Sequence, residues 1–200
     1  MDTIKTNIQK SYNNAKAYRK DSLISEWKEK EVKKVLNQID KNAYMLDLGA
    51  GSGVMAKYFD EAGIAITCVD LSKSMVELCC QQGLDAHVMD FYDLAFDEHT
   101  FDCVWSMNTL LHVPKSDIAT VLKQVKRVLK KDGIFYLGVY GGKSSEGIYQ
   151  DDFYEPKRFF AFYTLDELLE RLKVQFEVIA CEEIVLEQKL NYLSFMLKQR

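Results

Sequence analysis

Met45-Leu46-Asp47-Leu48-Gly49-Ala50-Gly51-Ser52-Gly53 is an apolar run that closes in three alternate glycines. The segment from Ala43 to Leu48 reads as a buried strand with an acid near its end, and Val54-Met55-Ala56-Lys57-Tyr58-Phe59 reads as the start of a helix. A strand, a glycine turn and a helix N-terminus together make a ligand site. Glycine lets the backbone approach a bulky ligand where a Cβ would collide, and the first helical turn offers unpaired N–H groups and a partial positive charge. The dinucleotide fingerprint Gly-x-Gly-x-x-Gly is not met, because its third glycine would fall on Val54. The pattern is Asp47-x-Gly49-x-Gly51-x-Gly53. At the end of the next apolar run, Ile64 to Val69, stands Asp70, an acid at the spacing of about twenty residues from which a carboxylate accepts both hydroxyls of a ribose.

In these residues the chain resembles the class I S-adenosylmethionine-dependent methyltransferases, whose first motif is an acid followed by Gly-x-Gly-x-Gly. The likeness runs from Ala43 to about Val139 and more loosely to the C-terminus, and rests on the glycine triplet with Asp70, Asp90 and the strand opening at Phe101 in order. It implies a Rossmann-like methyltransferase fold: α/β, doubly wound, with a mostly parallel seven-stranded sheet and an antiparallel C-terminal strand. S-adenosylmethionine is the implied cofactor, and methyl transfer to a small-molecule acceptor the implied activity. A cofactor-binding but inactive partner or scaffold module is the alternative. The cofactor residues so implied are Asp47, Gly49, Ala50, Gly51 and Gly53 in the turn, Asp70 for the ribose, and Leu71 against the base. Asp90 would receive the adenine amine, with Asp93 or Asp97 as competitors for that role, Phe91 would cover the ring, and Met107 would lie at the end of strand four.

The totals agree with one α/β domain. Two hundred residues suffice for a two-sided core, and 48% hydrophobic residues argue against disorder. A net charge of −4 argues against a nucleic-acid partner. No apolar run has the length of a membrane span, and the first residues lack a signal-like segment, so the chain reads as cytoplasmic. The five cysteines are scattered, with no Cys-x-x-Cys pair, and are expected to be buried free thiols; no metal is expected. The oligomeric state is left open.

Residues 1–40 read as an N-terminal helical cap, with Asp21-Ser22 as N-cap for a helix from Leu23 to Ile39. By resemblance such a cap closes over the cofactor, which makes Tyr12 a candidate cofactor contact and Tyr18 a candidate at the substrate mouth, with Arg19 beside it. Residues 41–139 alternate strand and helix, the pattern of a parallel sheet covered on both faces. Ser72 is placed to cap the helix after Asp70, and strand five is expected over Ile134 to Val139.

Met107-Asn108-Thr109-Leu110-Leu111-His112 follows strand four, where open α/β sheets hold ligands. Asn108 is a substrate candidate. The segment lacks the Asn/Asp-Pro-Pro-Tyr/Phe signature found here in enzymes that methylate base amines. His112 is the one histidine in a plausible site and the catalytic candidate, since a neutral imidazole can take a proton from an attacking hydroxyl or amine. Residues 140–163 form a glycine-rich, then aromatic, irregular stretch read as a substrate lid, with Tyr154, Arg158 and Phe159 as acceptor contacts. Arg158 has two candidate partners, a substrate carboxylate or a lid acid such as Asp152. Residues 164–200 read as a helix capped by Thr164 and a terminal β-hairpin.

Overall fold

The computed structural model describes residues 2–19, 24–186 and 190–200. Three helices lead: α1 (Asp2–Asn14), the short α2 (Lys16–Arg19) and α3 (Glu26–Leu36). The core follows as β1 (Tyr44–Leu48), α4 (Val54–Glu61), β2 (Ala65–Asp70), α5 (Lys73–Gln81), β3 (Asp85–Val88), β4 (Phe101–Met107), a 3-10 turn at Leu110–His112, α6 (Ile118–Val128) and β5 (Leu129–Gly141). Then come β6 (Ser145–Ile148), β7 (Phe159–Phe162), α7 (Leu165–Lys173), β8 (Phe176–Ile184) and β9 (Asn191–Gln199).

Seven strands form one sheet in the order β3-β2-β1-β4-β5-β9-β8. All pairs from β3 to β5 are parallel, and β9 lies antiparallel between β5 and β8. Alternate residues supply the two faces, as the pleat requires. Leu46, Val104, Phe135 and Leu137 enter the core beneath α6 and α7, while Met45, Cys103, Trp105 and Tyr136 enter the core beneath α3 and α4. The strand order reverses between β1 and β4, and such a switch point opens a crevice at the strands' carboxyl ends.

The predicted caps form. Ser72 Oγ accepts the Met75 N–H at 3.2 Å, and Thr164 Oγ1 accepts the Glu167 N–H at 3.2 Å. The Glu167 carboxylate does not close a box on Thr164; it takes Lys115 Nζ at 2.9 Å.

Four expectations are corrected. Helix α3 begins at Glu26 after Ser25, and the Asp21-Ser22 cap lies outside the described residues. Strand β5 begins at Leu129, which pairs with Phe101, whereas Ile134 pairs with Cys103. Lys130–Gly133 bulge out between them, because Asp132 takes a left-handed φ of 62° and Lys130 turns to Asp102 at 2.8 Å. The lid is not irregular throughout: β6 and β7 form a two-stranded antiparallel sheet, with Phe160 stacked on Phe162 at 5.4 Å. Cys68, Cys79 and Cys103 are buried free thiols as expected, but Cys80 and Cys181 are exposed.

Candidate active site

A cavity of about 380 Å³ lies over the switch point. Its floor is the glycine turn. Gly49 has φ +81°, and a Cβ there would sit 2.2 Å from Thr109 Oγ1, so neither the backbone nor the space admits a side chain. Gly51, at φ +56°, donates its N–H to Asp70 Oδ2 at 2.9 Å, while Ser72 N–H donates to Asp70 Oδ1 at 2.8 Å. The carboxylate of β2 is thus tied to the turn after β1 and to the start of α5. Burial raises the Asp70 pKa, and these two N–H groups offset part of the rise.

Asp47 is 2% exposed, lines the cavity, and its Oδ2 has no hydrogen-bond partner among the described residues. Burial, then the neighbouring Asp70 charge, pushes its pKa up to about 8. Asn108 also lines the cavity, in a left-handed backbone conformation (φ 57°) and with a buried Oδ1 that has no partner among the described residues. Both atoms are what a polar ligand with donors and positive charge would satisfy.

Helix α1 roofs the cavity, tied down on both sides. On one side Lys5 Nζ meets Asp90 Oδ2 at 2.6 Å, Gln9 Nε2 donates to the Leu71 carbonyl at 2.9 Å, and Asn13 Oδ1 accepts from Ser72 Oγ at 2.7 Å. On the other, Ser11 Oγ bonds the Pro156 carbonyl, and Asn14 Nδ2 donates to the Glu155 carbonyl at 2.9 Å.

Tyr12 joins roof, lid and sheet. His112 Nδ1 lies 2.8 Å from the Phe159 carbonyl, which only accepts, so Nδ1 carries the proton and Nε2 accepts. Tyr12 Oη, 3.0 Å away, then donates to Nε2 and accepts from Arg158 Nη1 at 2.8 Å. Arg158 in turn grips Asp152 with two parallel bonds, Nε to Oδ2 at 2.9 Å and Nη2 to Oδ1 at 2.8 Å. Burial, then the Arg158 charge, lowers the His112 pKa to about 3, so the ring stays neutral. Burial raises the Asp152 carboxyl, but its bonds to Arg158 win and hold it below the usual range. Replacing Tyr12 with phenylalanine leaves His112 Nε2 and Arg158 Nη1 without this partner. At about 1–3 kcal/mol for each of these two groups left unmade, the expected result is a loss of about 2–6 kcal/mol in a urea melt.

Most of the candidate residues converge. Asp47, Gly49, Ala50, Gly51, Asp70, Leu71, Asp90, Phe91, Met107, Asn108, His112, Tyr12, Tyr154 and Arg158 line this one cavity. Of the two partners open to Arg158, the structure shows Asp152. Three candidates fall elsewhere. Gly53 sits at the N-cap of α4 against Leu84 and Cys79, not in the lining. Phe159 is buried in the core and offers the site only its carbonyl, to His112. Tyr18 is 78% exposed and outside the lining, because the face of α1 and α2 that meets the cavity carries Tyr12 and Arg19. Sequence reading missed Lys5, Gln9 and Asn13. Their i, i+4 spacing on α1 marked one face, but only the fold shows that this face meets the β2–α5 turn and, through Lys5, the segment after β3.

A sheet of this order with β9 antiparallel, a glycine turn after β1 and a half-buried acid at the end of β2 defines the class of Rossmann-like methyltransferases. Residues 46–137 match the methyltransferase-domain family. Residues 46–137 carry this match, and motif and fold agree with the class I S-adenosylmethionine-dependent methyltransferases. It is 35% identical over 108 residues to the sarcosine/dimethylglycine N-methyltransferase of Halorhodospira halochloris, covering 49% of this chain and 38% of that one. It is 31% identical over 102 residues to the ubiquinone biosynthesis O-methyltransferase of Xanthomonas oryzae pv. oryzae, covering 48% and 42%. The chain thus spans less than half the length of either relative. The crystal structure of Burkholderia thailandensis 1,6-didemethyltoxoflavin-N1-methyltransferase, with 1,6-didemethyltoxoflavin and S-adenosylhomocysteine bound, shares the fold at a TM-score of 0.77. Identity there is 22%, over 98% of this chain and 86% of that one.

Proposed function

We propose that this chain binds S-adenosylmethionine in the cavity over the glycine turn and transfers its methyl group to a small-molecule acceptor. The observation that carries the reading is the Asp70 carboxylate, fixed by the Gly51 and Ser72 N–H groups beside a turn too tight for a Cβ at Gly49. Asp70 is assigned to the ribose, Leu71, Asp90 and Phe91 to the base, and Asp47 and the glycine turn to the amino-acid end. Lys5 occupies one oxygen of Asp90, so Asp90 meets the base as one half of an ion pair.

The cofactor supplies a methyl group on a positively charged sulfur that leaves as a neutral thioether. The chain's residues therefore have to align, exclude water and handle one proton. Helix α1 and the lid exclude water, held together through Tyr12, Arg158 and Asp152. His112 is assigned a positioning role: its Nε2 already accepts from Tyr12, and its depressed pKa makes it a poor proton acceptor. Tyr12 Oη, with one donor and two acceptor sites, uses the donor on His112 and one acceptor on Arg158. The remaining acceptor site can orient the N–H or O–H of a nucleophile.

The relatives act as N- and O-methyltransferases by name, which supports a small acceptor with nitrogen or oxygen as target. Incubation of the purified chain with S-adenosylmethionine and fractionated metabolite extracts is expected to release S-adenosylhomocysteine in an acceptor-dependent way. Tight cofactor binding with no release from any fraction would favour the inactive-module alternative.

A further inference from the structure

Lys28 brings a cation to the cavity wall at the end remote from Asp90. It lies on α3, three residues before Glu31, whose buried carboxylate accepts from Tyr136 Oη at 2.9 Å and Ser194 Oγ at 2.5 Å and takes Lys34 Nζ at 2.7 Å. That network, with the Trp27 ring 4.5 Å from Tyr192, pins α3 to β5 and β9. Lys28 is thereby held near the carboxyl end of β5, where Tyr140 also lines the cavity. From β3 to β5 the sheet takes four inter-strand steps of about 4.8 Å, so the Asp90 and Tyr140 ends are roughly 19 Å apart.

Among the described residues no carboxylate pairs with Lys28. Its charged neighbour is the like charge of Arg19, and the nearest ring is Trp27, 5.5 Å from Nζ. Burial, then Arg19, depresses its pKa, the sign of a cation lacking an anion. Arg19 stands over the glycine turn, with Nη2 3.4 Å from where a Cβ on Gly51 would lie, which is the amino-acid end of the proposed cofactor site. On the cofactor reading the amino-acid carboxylate lies at this turn beside Arg19, not at Lys28. Trp105 gives a second, independent indication. It lines the cavity, stacks on Tyr136 at 4.1 Å, and its buried indole N–H has no acceptor among the described residues.

We infer that Lys28 anchors an acceptor subsite and that the acceptor carries a carboxylate on a flat apolar body, held by the Lys28 ammonium and the Trp105 N–H beside Met107 and Tyr140. The inference rests on the cofactor reading above, and one experiment separates the two. Protein saturated with S-adenosylhomocysteine is titrated with benzoate, 4-hydroxybenzoate and indole-3-acetate, each against its primary amide, by calorimetry and tryptophan fluorescence. At least one carboxylate is expected to bind tenfold or more tightly than its amide. Lys28→Met is expected to erase that preference while changing S-adenosylhomocysteine affinity less than threefold, and Lys28→Arg to restore most of it. No preference for any carboxylate overturns the inference. So does a Lys28→Met variant that loses cofactor affinity as much as carboxylate affinity, since Lys28 would then serve the cofactor. If S-adenosylhomocysteine fails to bind the wild-type chain, the cofactor reading itself falls.

Discussion

Asp70→Ala lowers the affinity for S-adenosylhomocysteine by about 10²–10⁴-fold in a calorimetric titration. The expected size follows from the two charge-assisted bonds an ionised carboxylate makes to a pair of ribose hydroxyls, at about 1.5–3 kcal/mol each. A further loss comes from the protein itself. Asp70 accepts from Gly51 and Ser72, so its removal frees the glycine turn and the start of α5, which share that carboxylate as an anchor. Asp70→Asn separates the two effects, because the amide keeps the volume and one acceptor oxygen but loses the charge. It is expected to fall between the wild type and Asp70→Ala, with an unchanged circular dichroism spectrum. Wild-type affinity in a folded Asp70→Ala protein would take the ribose away from this residue.

Asp47→Asn trades cofactor affinity for stability, and pH reveals the trade. The Asp47 carboxyl is held up to about 8 in the folded chain, against about 3.9 in an unfolded one. Between those values the folded state keeps a proton that the unfolded state has lost. Its contribution is therefore complete below about pH 4 and falls as pH rises toward 8, by at most about 1.4 kcal/mol per unit. Asparagine does not titrate, so the variant lacks this slope. At pH 8.5 the cofactor-free variant is expected to melt several degrees above the wild type, at about 2–4 °C per kcal/mol for a chain of this size, and the difference closes toward pH 4.5. Binding shows the opposite sign. The positive charge of S-adenosylmethionine favours the ionised carboxylate, so wild-type affinity rises with pH toward 8 and binding releases a proton. The variant is expected to bind about tenfold or more weakly, without pH dependence. Parallel melting curves for the two proteins across this range would refute a neutral buried Asp47.

Both predictions concern residues that were legible early, and the reason is local. Asp47, the alternate glycines, Asp70 and the Ser72 cap lie within or at the ends of single elements, where spacing reports backbone geometry directly. The lid was less legible. Phe159-Phe160-Ala161-Phe162 is apolar at every position, so no period-2 alternation marked it as a strand, and its partner Ser145–Ile148 is polar and glycine-broken. Phe159 looked like a substrate contact for the same reason, since composition alone does not tell which face of a strand turns inward. The bulge at Lys130–Gly133, by which strand five begins at Leu129 and not at Ile134, was not legible, because Lys-Lys-Asp-Gly suits a helix-ending turn equally well.

By itself the sequence determined the parallel core, the glycine turn with its two acids at strand ends, and the terminal β-hairpin. Each is written in short-range pattern: hydrophobic period, turn residues and element order. Tertiary structure alone decided which side chains close the site. Lys5 meets Asp90, Tyr12 meets His112, and Arg158 reaches Tyr12 only after chain segments far apart in sequence are packed together. Such pairings depend on how α1 and the lid are oriented over the sheet, and on burial that leaves Asp47, Asn108 and Trp105 with polar atoms lacking partners within the described chain. No local spacing encodes these, because the energy that fixes them comes from surfaces that meet only in the folded molecule.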